Sequence, residues 1–163
     1  MTVTDVQTDT DKQTMTITAE LPVPAERAWQ LWSDPRQLER WWGPPTYPAT
    51  VVDHDLNVGG RVTYFMTGPE GDRFHGWWEV KAVDEPRRLD FVDGFADETG
   101  TPNSEMPTTT TRVDFEDREG GSRMTIHSSF DSAEEMERML EMGMREGMQE
   151  ALGQIEGVLA DDR

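Results

Sequence analysis

The sequence contains no cysteine, only two lysines and only three histidines among its 163 residues. The absence of cysteine excludes disulfides, thiolate nucleophiles and cysteine-ligated metal sites. No apolar run approaches the roughly 18 residues that a membrane-spanning helix needs. The N-terminus is acidic and has no basic segment followed by an apolar one, so it does not resemble a signal peptide. These absences predict a soluble, cytoplasmic protein.

Acidic side chains dominate the charge. Asp and Glu number 33 against 15 Lys and Arg, which gives a formal net charge of −18 at pH 7. Such a field repels phosphate backbones and anionic headgroups, so we expect neither a nucleic-acid partner nor membrane insertion. An acidic surface suits a salt-rich cytoplasm, and a GC-rich genome explains the same composition equally well.

The chain length is typical of one domain, since domains run about 100–200 residues. Residues 1–12 are polar, rich in Thr and Asp and without periodicity, which predicts a disordered acidic tail. We expect residues 13–160 to form a single domain.

The first part of that domain reads as one strand followed by two short helices. Residues 13–21 alternate between apolar and polar side chains, as in a half-buried strand. Pro22 and Pro24 then end the strand. Asp34 and Pro35 have the residue types of an N-cap and a first helical position, so they predict the start of the second helix.

Six further segments have strand periodicity, and Gly- or Pro-containing turns separate most of them. Short connections indicate hairpins, so the sequence predicts an antiparallel sheet of about seven strands. The segment Gly94–Pro107 is longer and is predicted to be a mobile loop. The six candidate strands are Ala49–Leu56, Arg61–Thr67, Arg73–Val83, Arg88–Asp93, Thr108–Asp117 and Arg123–Phe130.

The C-terminal segment changes to helical periodicity. Ser132 and Glu135 match a capping box, and a broad apolar stripe continues from Met136 to Leu159. This pattern predicts one helix of about 27 residues, roughly 40 Å long. Its apolar face has to cover the apolar face of the sheet. The predicted class is therefore α+β.

The sequence offers no defined catalytic centre. His54, His75 and His127 are not close together along the chain, and none has a helical metal-ligand spacing, so we expect no metal and no cofactor. His54 is a weak catalytic candidate, on the condition that the strand turns Val52, His54 and Leu56 inward. No other ionisable residue is predicted to face the interior convincingly.

Large apolar side chains and glycines, which have no side chain, are predicted to face each other across the interior. The chain has six Trp and ten Met. The predicted C-terminal helix contains four glycines, each of which costs up to about 1 kcal/mol relative to Ala. Close approach to the sheet and free space beneath the helix both explain these glycines, so an ordinary core and a ligand cavity remain open.

Several motifs resemble the SRPBCC (START-like) superfamily, and more narrowly the branch named after the heat-shock protein 90 ATPase activator homologues. They are the run from Ala28 to Pro35, the segment Trp41-Trp42-Gly43-Pro44, and the segment His75-Gly76-Trp77-Trp78-Glu79. The resemblance covers about residues 13–160. Gly147 is followed by Met148, where many relatives have Trp, and the separate N-terminal domain of the full co-chaperone has no counterpart.

The resemblance implies a helix-grip fold, in which a curved antiparallel sheet surrounds a long C-terminal helix with a cavity between them. The superfamily includes lipid carriers, polyketide cyclases and a calicheamicin self-resistance protein, so fold alone does not give the function. A binding protein for a small apolar or aromatic ligand is the first hypothesis. Its candidate contacts are Trp41, Trp42 and Phe95 at the mouth, with Tyr64, Met66, Trp78, Phe91, Phe115, Met144 and Met148 inside.

Two alternatives remain. The first is a cyclase- or hydrolase-type enzyme that uses the same cavity, although we favour a protein without catalysis. The second is a co-chaperone-like interaction domain or a homodimer, in which Phe65 and Trp77 form an apolar patch on the outer face of the sheet.

Overall fold

The structure, a computed structural model, describes residues 3–161. Within that range the chain is α+β, with one antiparallel sheet and helices both before and after its central strands. The strands are β1 (Val3–Asp9), β2 (Thr14–Leu21), β3 (Ala49–His54), β4 (Arg61–Thr67), β5 (Arg73–Asp84), β6 (Arg88–Ala96), β7 (Thr109–Arg118) and β8 (Gly121–Phe130). The helices are α1 (Ala25–Ser33), α2 (Pro35–Trp41), α3 (Ala133–Glu141), α4 (Met144–Leu152) and α5 (Ile155–Ala160).

The eight strands form one curved sheet in the order β1-β2-β8-β7-β6-β5-β4-β3. Consecutive strands from β3 to β8 are neighbours, as the short connections predicted. The pairing register shifts between Val51 and Asp53 and between Val80 and Ala82. Irregularities of this kind bend a strand and increase its twist. The antiparallel sheet predicted from the sequence is confirmed.

The prediction of a disordered tail is wrong for Val3–Asp9, which form β1 at the edge of the sheet. The remainder of that tail includes residues 1 and 2, which lie outside the described range. β1 pairs with β2, and Val6 lies opposite Ile17 and packs against the core. The polar sequence of β1 has few apolar side chains to bury. Pairing with β2 and the contact of Val6 with the core stabilise the strand instead.

The two short helices lie where the sequence predicted them. The Asp34 side chain accepts a hydrogen bond from the backbone N–H of Arg36 at 2.9 Å and caps α2. Both helices pack apolar side chains against the sheet, and Trp32 and Trp41 are completely buried. The α1–α2 pair therefore closes one end of the core.

The C-terminal region is helical as predicted, but it consists of three segments rather than one continuous helix. Ser132 caps α3 by accepting a hydrogen bond from the N–H of Glu135 at 3.1 Å. Gly143 then adopts a left-handed conformation with φ of +88°, and α4 begins immediately after it. Because glycine has no Cβ, it tolerates this conformation, which breaks the helical path. Within the described range, no helix is long and apolar enough to cross a membrane.

The predicted loop starting at Gly94 begins three residues later, because β6 continues to Ala96. Ala96 also forms an isolated bridge with Pro102. Beyond β6, the Asp97 carboxylate accepts hydrogen bonds from the backbone N–H groups of Thr99 and Thr101. The extended strand places one more side chain, Phe95, on the inward face that Leu89 and Phe91 share.

Candidate functional site

A cavity of about 270 Å³ lies between the sheet and the α3–α4 segment. Apolar side chains and glycines make up most of its wall, and Trp42, Pro44 and Pro107 also line it. The sheet contributes Tyr64, Met66, Phe74, His75, Gly76, Asp93, Gly94, Phe95 and Thr109. The helices contribute Met139, Met142, Gly143, Met144, Gly147 and Met148.

The helical side of the cavity is formed by flexible and small side chains. The break at Gly143 lies in this wall, so the path of the helix changes directly over the cavity. A Cβ added at Gly147 would meet no atom within 4 Å. Of the two explanations for the helical glycines, free space therefore applies at Gly147 and close approach does not.

Gly76 has the opposite role on the sheet. A Cβ added there would lie 2.4 Å from the Tyr64 ring and its hydroxyl oxygen. Gly76 is paired with Tyr64 across β4 and β5, so the missing side chain lets the phenol lie directly against the neighbouring strand. This close approach holds the Tyr64 ring in the cavity wall.

Asp93 places a carboxyl group in this largely apolar wall. It is half-buried on β6, opposite Trp78 of β5 and Thr109 of β7. Burial raises the pKa of Asp93 to about 7, and a hydrogen bond from Tyr64 opposes part of that rise. Burial also raises the pKa of the Tyr64 phenol well above its ordinary value, and the charge of Asp93 raises it further. The cavity thus contains a carboxyl group that changes charge near neutral pH.

Two further polar groups lie close to this pair. The indole N–H groups of Trp42 and Trp78 are buried and make no hydrogen bond of good geometry within the described part of the chain, although both lie close enough to the Tyr64 hydroxyl to lower its pKa. An unpaired buried donor costs about 1–3 kcal/mol. Trp42 lines the cavity beside Tyr64, so its indole belongs to the polar part of the wall.

The structure brings together six of the ten predicted ligand contacts. Trp42, Tyr64, Met66, Phe95, Met144 and Met148 line the cavity. Their role in binding stays a prediction.

The other four candidates lie in the packed core and do not line the cavity. Trp78 and Phe91 stack with ring centroids 4.0 Å apart and an interplanar angle of 15°. Trp41 donates its indole N–H to the Leu31 carbonyl at 2.9 Å, and Phe115 packs edge-on against Trp29. Apolar side chains on one face of a strand include both cavity wall and core, so periodicity alone cannot separate them.

Of the three residues predicted to turn inward at this strand, Leu56 packs against the core and His54 is half-buried, whereas Val52 is exposed. His54 does not line the cavity, and its Nε2 lies 2.9 Å from the Trp32 carbonyl oxygen. Val52, predicted to face inward with it, is 61% exposed because the register of β3 shifts after Val51. Asp93, which was not predicted from the sequence, is the carboxylic acid that lines the cavity. The alternation of Leu89 and Phe91 continues to this position, and that continuation was the available signal.

The predicted outer patch is partly covered. Trp77 lies over Gly94 and donates its indole N–H to the Phe95 carbonyl at 3.0 Å. The guanidinium of Arg73 lies 4.4 Å from the centre of the Phe65 ring. Both aromatic side chains are half-buried, and a homodimer stays a prediction. No cluster of three or more His, Asp or Glu side chains suited to a metal ion occurs within residues 3–161.

Solved structures of similar proteins cover nearly the whole chain. Protein Ms6760 from Mycobacterium smegmatis is 53% identical, covers 96% of each chain and superimposes with a TM-score of 0.89. A protein from Arthrobacter aurescens is 49% identical, with a TM-score of 0.94 and coverage of 98% of this chain and 93% of the other. A protein from Staphylococcus epidermidis, 23% identical with a TM-score of 0.84, covers 98% of this chain and 96% of its own, and shows the same fold.

No curated protein matches the sequence. Residues 22–160 match the family described as activator of Hsp90 ATPase homolog 1-like protein. That match includes both short helices, the six strands β3 to β8 and all three C-terminal helical segments. The chain therefore belongs to the activator of Hsp90 ATPase homolog 1-like family.

Proposed function

We propose that the protein binds a small, largely apolar or aromatic molecule in the cavity between the sheet and α3–α4. The observation that carries the proposal is an apolar cavity of about 270 Å³ whose helical wall consists of methionines and glycines. An apolar cavity of about 150 Å³ admits benzene in another protein, so this one has room for a two-ring molecule. Methionine side chains adapt to irregular apolar shapes.

The polar groups in the wall suit the orientation of such a ligand. Binding sites of this kind combine an apolar surface with a few placed polar groups. Here Tyr64 and Asp93 supply a phenol and a carboxyl group on adjoining parts of the sheet. The indole N–H of Trp42, which makes no hydrogen bond of good geometry among the described residues, adds a donor beside Tyr64. Membership of a fold family that typically binds ligands supports the same proposal.

Native mass spectrometry tests this function. The protein is incubated with a small-molecule extract of its source cells, and a discrete added mass that is released on denaturation is expected. Gly147→Leu should abolish the adduct, because its side chain enters the cavity.

The matched control is Gly157→Leu. Gly157 also has no atom within 4 Å of an added Cβ, but it lies on α5 and does not line the cavity. This variant should keep the adduct. Loss of the adduct in both variants, or retention in both, contradicts binding in this cavity.

Asp93 also favours a second candidate function, an acid–base enzyme that acts on the bound molecule. A carboxyl group with a pKa of about 7 can both accept and donate a proton near neutral pH. Tyr64 beside it can donate a hydrogen bond to an oxygen that gains negative charge. If a bound compound is converted, Asp93→Asn should reduce turnover while the compound still binds. Unchanged turnover in that variant excludes Asp93 as the acid–base group.

A further inference from the structure

Within residues 3–161, the carboxyl group of Asp93 has no cationic partner. Among the described residues, no lysine or arginine lines the cavity, and no ion pair involves Asp93. Asp90, three residues earlier on the same strand, instead accepts two hydrogen bonds from Arg88, at 2.9 and 2.6 Å. A carboxylate in a half-buried apolar wall without a cation is unfavourable on its own and gains most from a cation that enters with the ligand.

The aromatic side chains around Asp93 suit the same ligand charge. Trp42, Tyr64 and Phe95 line the cavity together with it. Aromatic faces attract cations within about 6 Å of the ring centre, and the attraction is stronger where water is excluded. The wall therefore combines one negative group with several electron-rich rings.

The charge of the whole chain acts in the same direction. A net charge of −18 attracts cations and repels anions on approach. Fatty acids and other anionic ligands are repelled both by this field and by the Asp93 carboxylate. Lipophilic amines, which are cationic, are attracted by the field outside the cavity and by the carboxylate inside it.

We propose that the preferred ligands of the cavity are lipophilic amines, whose protonated nitrogen pairs with Asp93 while their apolar part lies against the methionines of α3 and α4. The proposal rests on the proposed function, since it specifies the ligand class for the same cavity. It assigns Asp93 as the residue that selects the charge of the ligand.

Binding of an amine should depend on pH through Asp93. The other titratable residues that line the cavity are Tyr64 from β4 and His75 from β5, whereas α3, α4 and Thr109 of β7 contribute none. The His75 ring packs against the Phe65 ring with centroids 5.5 Å apart, and the loop residue Asp97 lies near enough to interact with it. Because Asp93 must be ionised to pair with an ammonium group, affinity for an amine should rise between pH 5.5 and pH 8.

Isothermal titration calorimetry with two probes tests the proposal. The probes, 1-naphthylmethylamine and 1-naphthalenemethanol, have nearly the same size and differ in charge. At pH 8 we expect the amine to bind the wild-type protein about tenfold more tightly than the alcohol, as one favourable buried charge pair allows. At pH 5.5 the preference should fall towards equality.

Two variants locate the selectivity. Asp93→Asn should bind both probes equally at pH 8, and its retained affinity for the alcohol shows that the cavity is folded. Asp90→Asn makes the same change in net charge on the same strand, but Asp90 pairs with Arg88 and does not line the cavity. This control should keep the preference for the amine.

Each other outcome overturns a defined part of the proposal. If the alcohol binds the wild-type protein at pH 8 as tightly as the amine, the cavity binds apolar molecules without selecting amines, and the proposed function stands alone. If Asp93→Asn keeps the preference, the assignment of Asp93 is wrong. If neither probe binds, the proposed function fails for two-ring molecules, and the amine inference fails with it.

Discussion

The two ends of the interior are packed in opposite ways. Under α1 and α2, the rings of Trp32, Trp41, Trp42 and Trp78 lie with centroids 4.8–5.9 Å apart, mostly edge to face. Under α3 and α4, methionines and glycines enclose about 270 Å³ of free space. Between Gly143 and Glu150 no side chain is fully buried. The indole-packed end supplies stability, and the methionine-lined end leaves room for a guest.

The largest test of this comparison substitutes one buried side chain at each end. Trp32→Ala should lower the free energy of unfolding by about 3–5 kcal/mol, because it leaves a large cavity in a close-packed core. Met148→Ala should lower it by less than about 1 kcal/mol, because Met148 is half-buried beside an existing cavity. Urea unfolding measures both. Equal losses contradict the comparison, and failure of Trp32→Ala to fold agrees with it.

The second test concerns the Asp93 carboxyl group, which lies at the methionine-lined end and makes the free energy of unfolding depend on pH. The Asp93 pKa rises from 3.8 to about 7 on folding, so between these values the native state holds a proton that the unfolded state has lost. Stability therefore falls as pH rises from about 4 to 7. The full difference corresponds to about 4 kcal/mol, and half-burial reduces the expected effect to about 2 kcal/mol.

The variant Asp93→Asn removes this dependence. Relative to the wild-type protein, it should be more stable by about 2 kcal/mol at pH 8 and equally stable at pH 4. Thermal or urea unfolding of both proteins at the two pH values gives the difference. A gain that is the same at both pH values does not come from the ionisation of Asp93.

A third test compares two glycines of the helical wall. Gly143→Ala should destabilise by about 1–2 kcal/mol, because φ of +88° is unfavourable for a residue with a Cβ. Gly147→Ala should stabilise by up to about 1 kcal/mol, since it lies within α4 and its Cβ meets nothing. Opposite signs in chemical unfolding support the geometry of the break. A stabilising Gly143→Ala contradicts it.

The smallest expected effect is that of His54→Ala. His54 is half-buried and lies 2.9 Å from the Trp32 carbonyl oxygen, so the loss of one hydrogen bond should cost about 1 kcal/mol. Binding of 1-naphthalenemethanol should not change, because His54 lies outside the cavity. A substantial loss of affinity would return His54 to the candidate site.

The sequence predicted the central strands and the short helices because their signals are local. Alternating side chains, the cap at Asp34 and the turns between strands act over a few residues each. The strand β1 could not be predicted in this way, since its polar residues depend on pairing with β2. The break at Gly143 was equally hidden, because the apolar stripe continues through it and only the backbone conformation interrupts the helix.

The cavity could be predicted only in part. Large apolar residues on inward faces identified Tyr64 and Met148 as well as Trp78, but whether such a residue faces core or free space depends on what packs opposite it. Asp93 was missed because the predicted strand stopped at that residue, although the structure continues it to Ala96.

The position of Trp42 gives the protein an internal optical reporter. Among its six tryptophans, Trp42 is the one placed in the cavity wall within the described structure, and its ring is close to those of Trp32, Trp41 and Trp78. Indoles at such distances exchange excitation energy, so a quencher bound in the cavity reduces the fluorescence of all four tryptophans. Emission from the unlabelled chain can therefore report occupancy of the cavity.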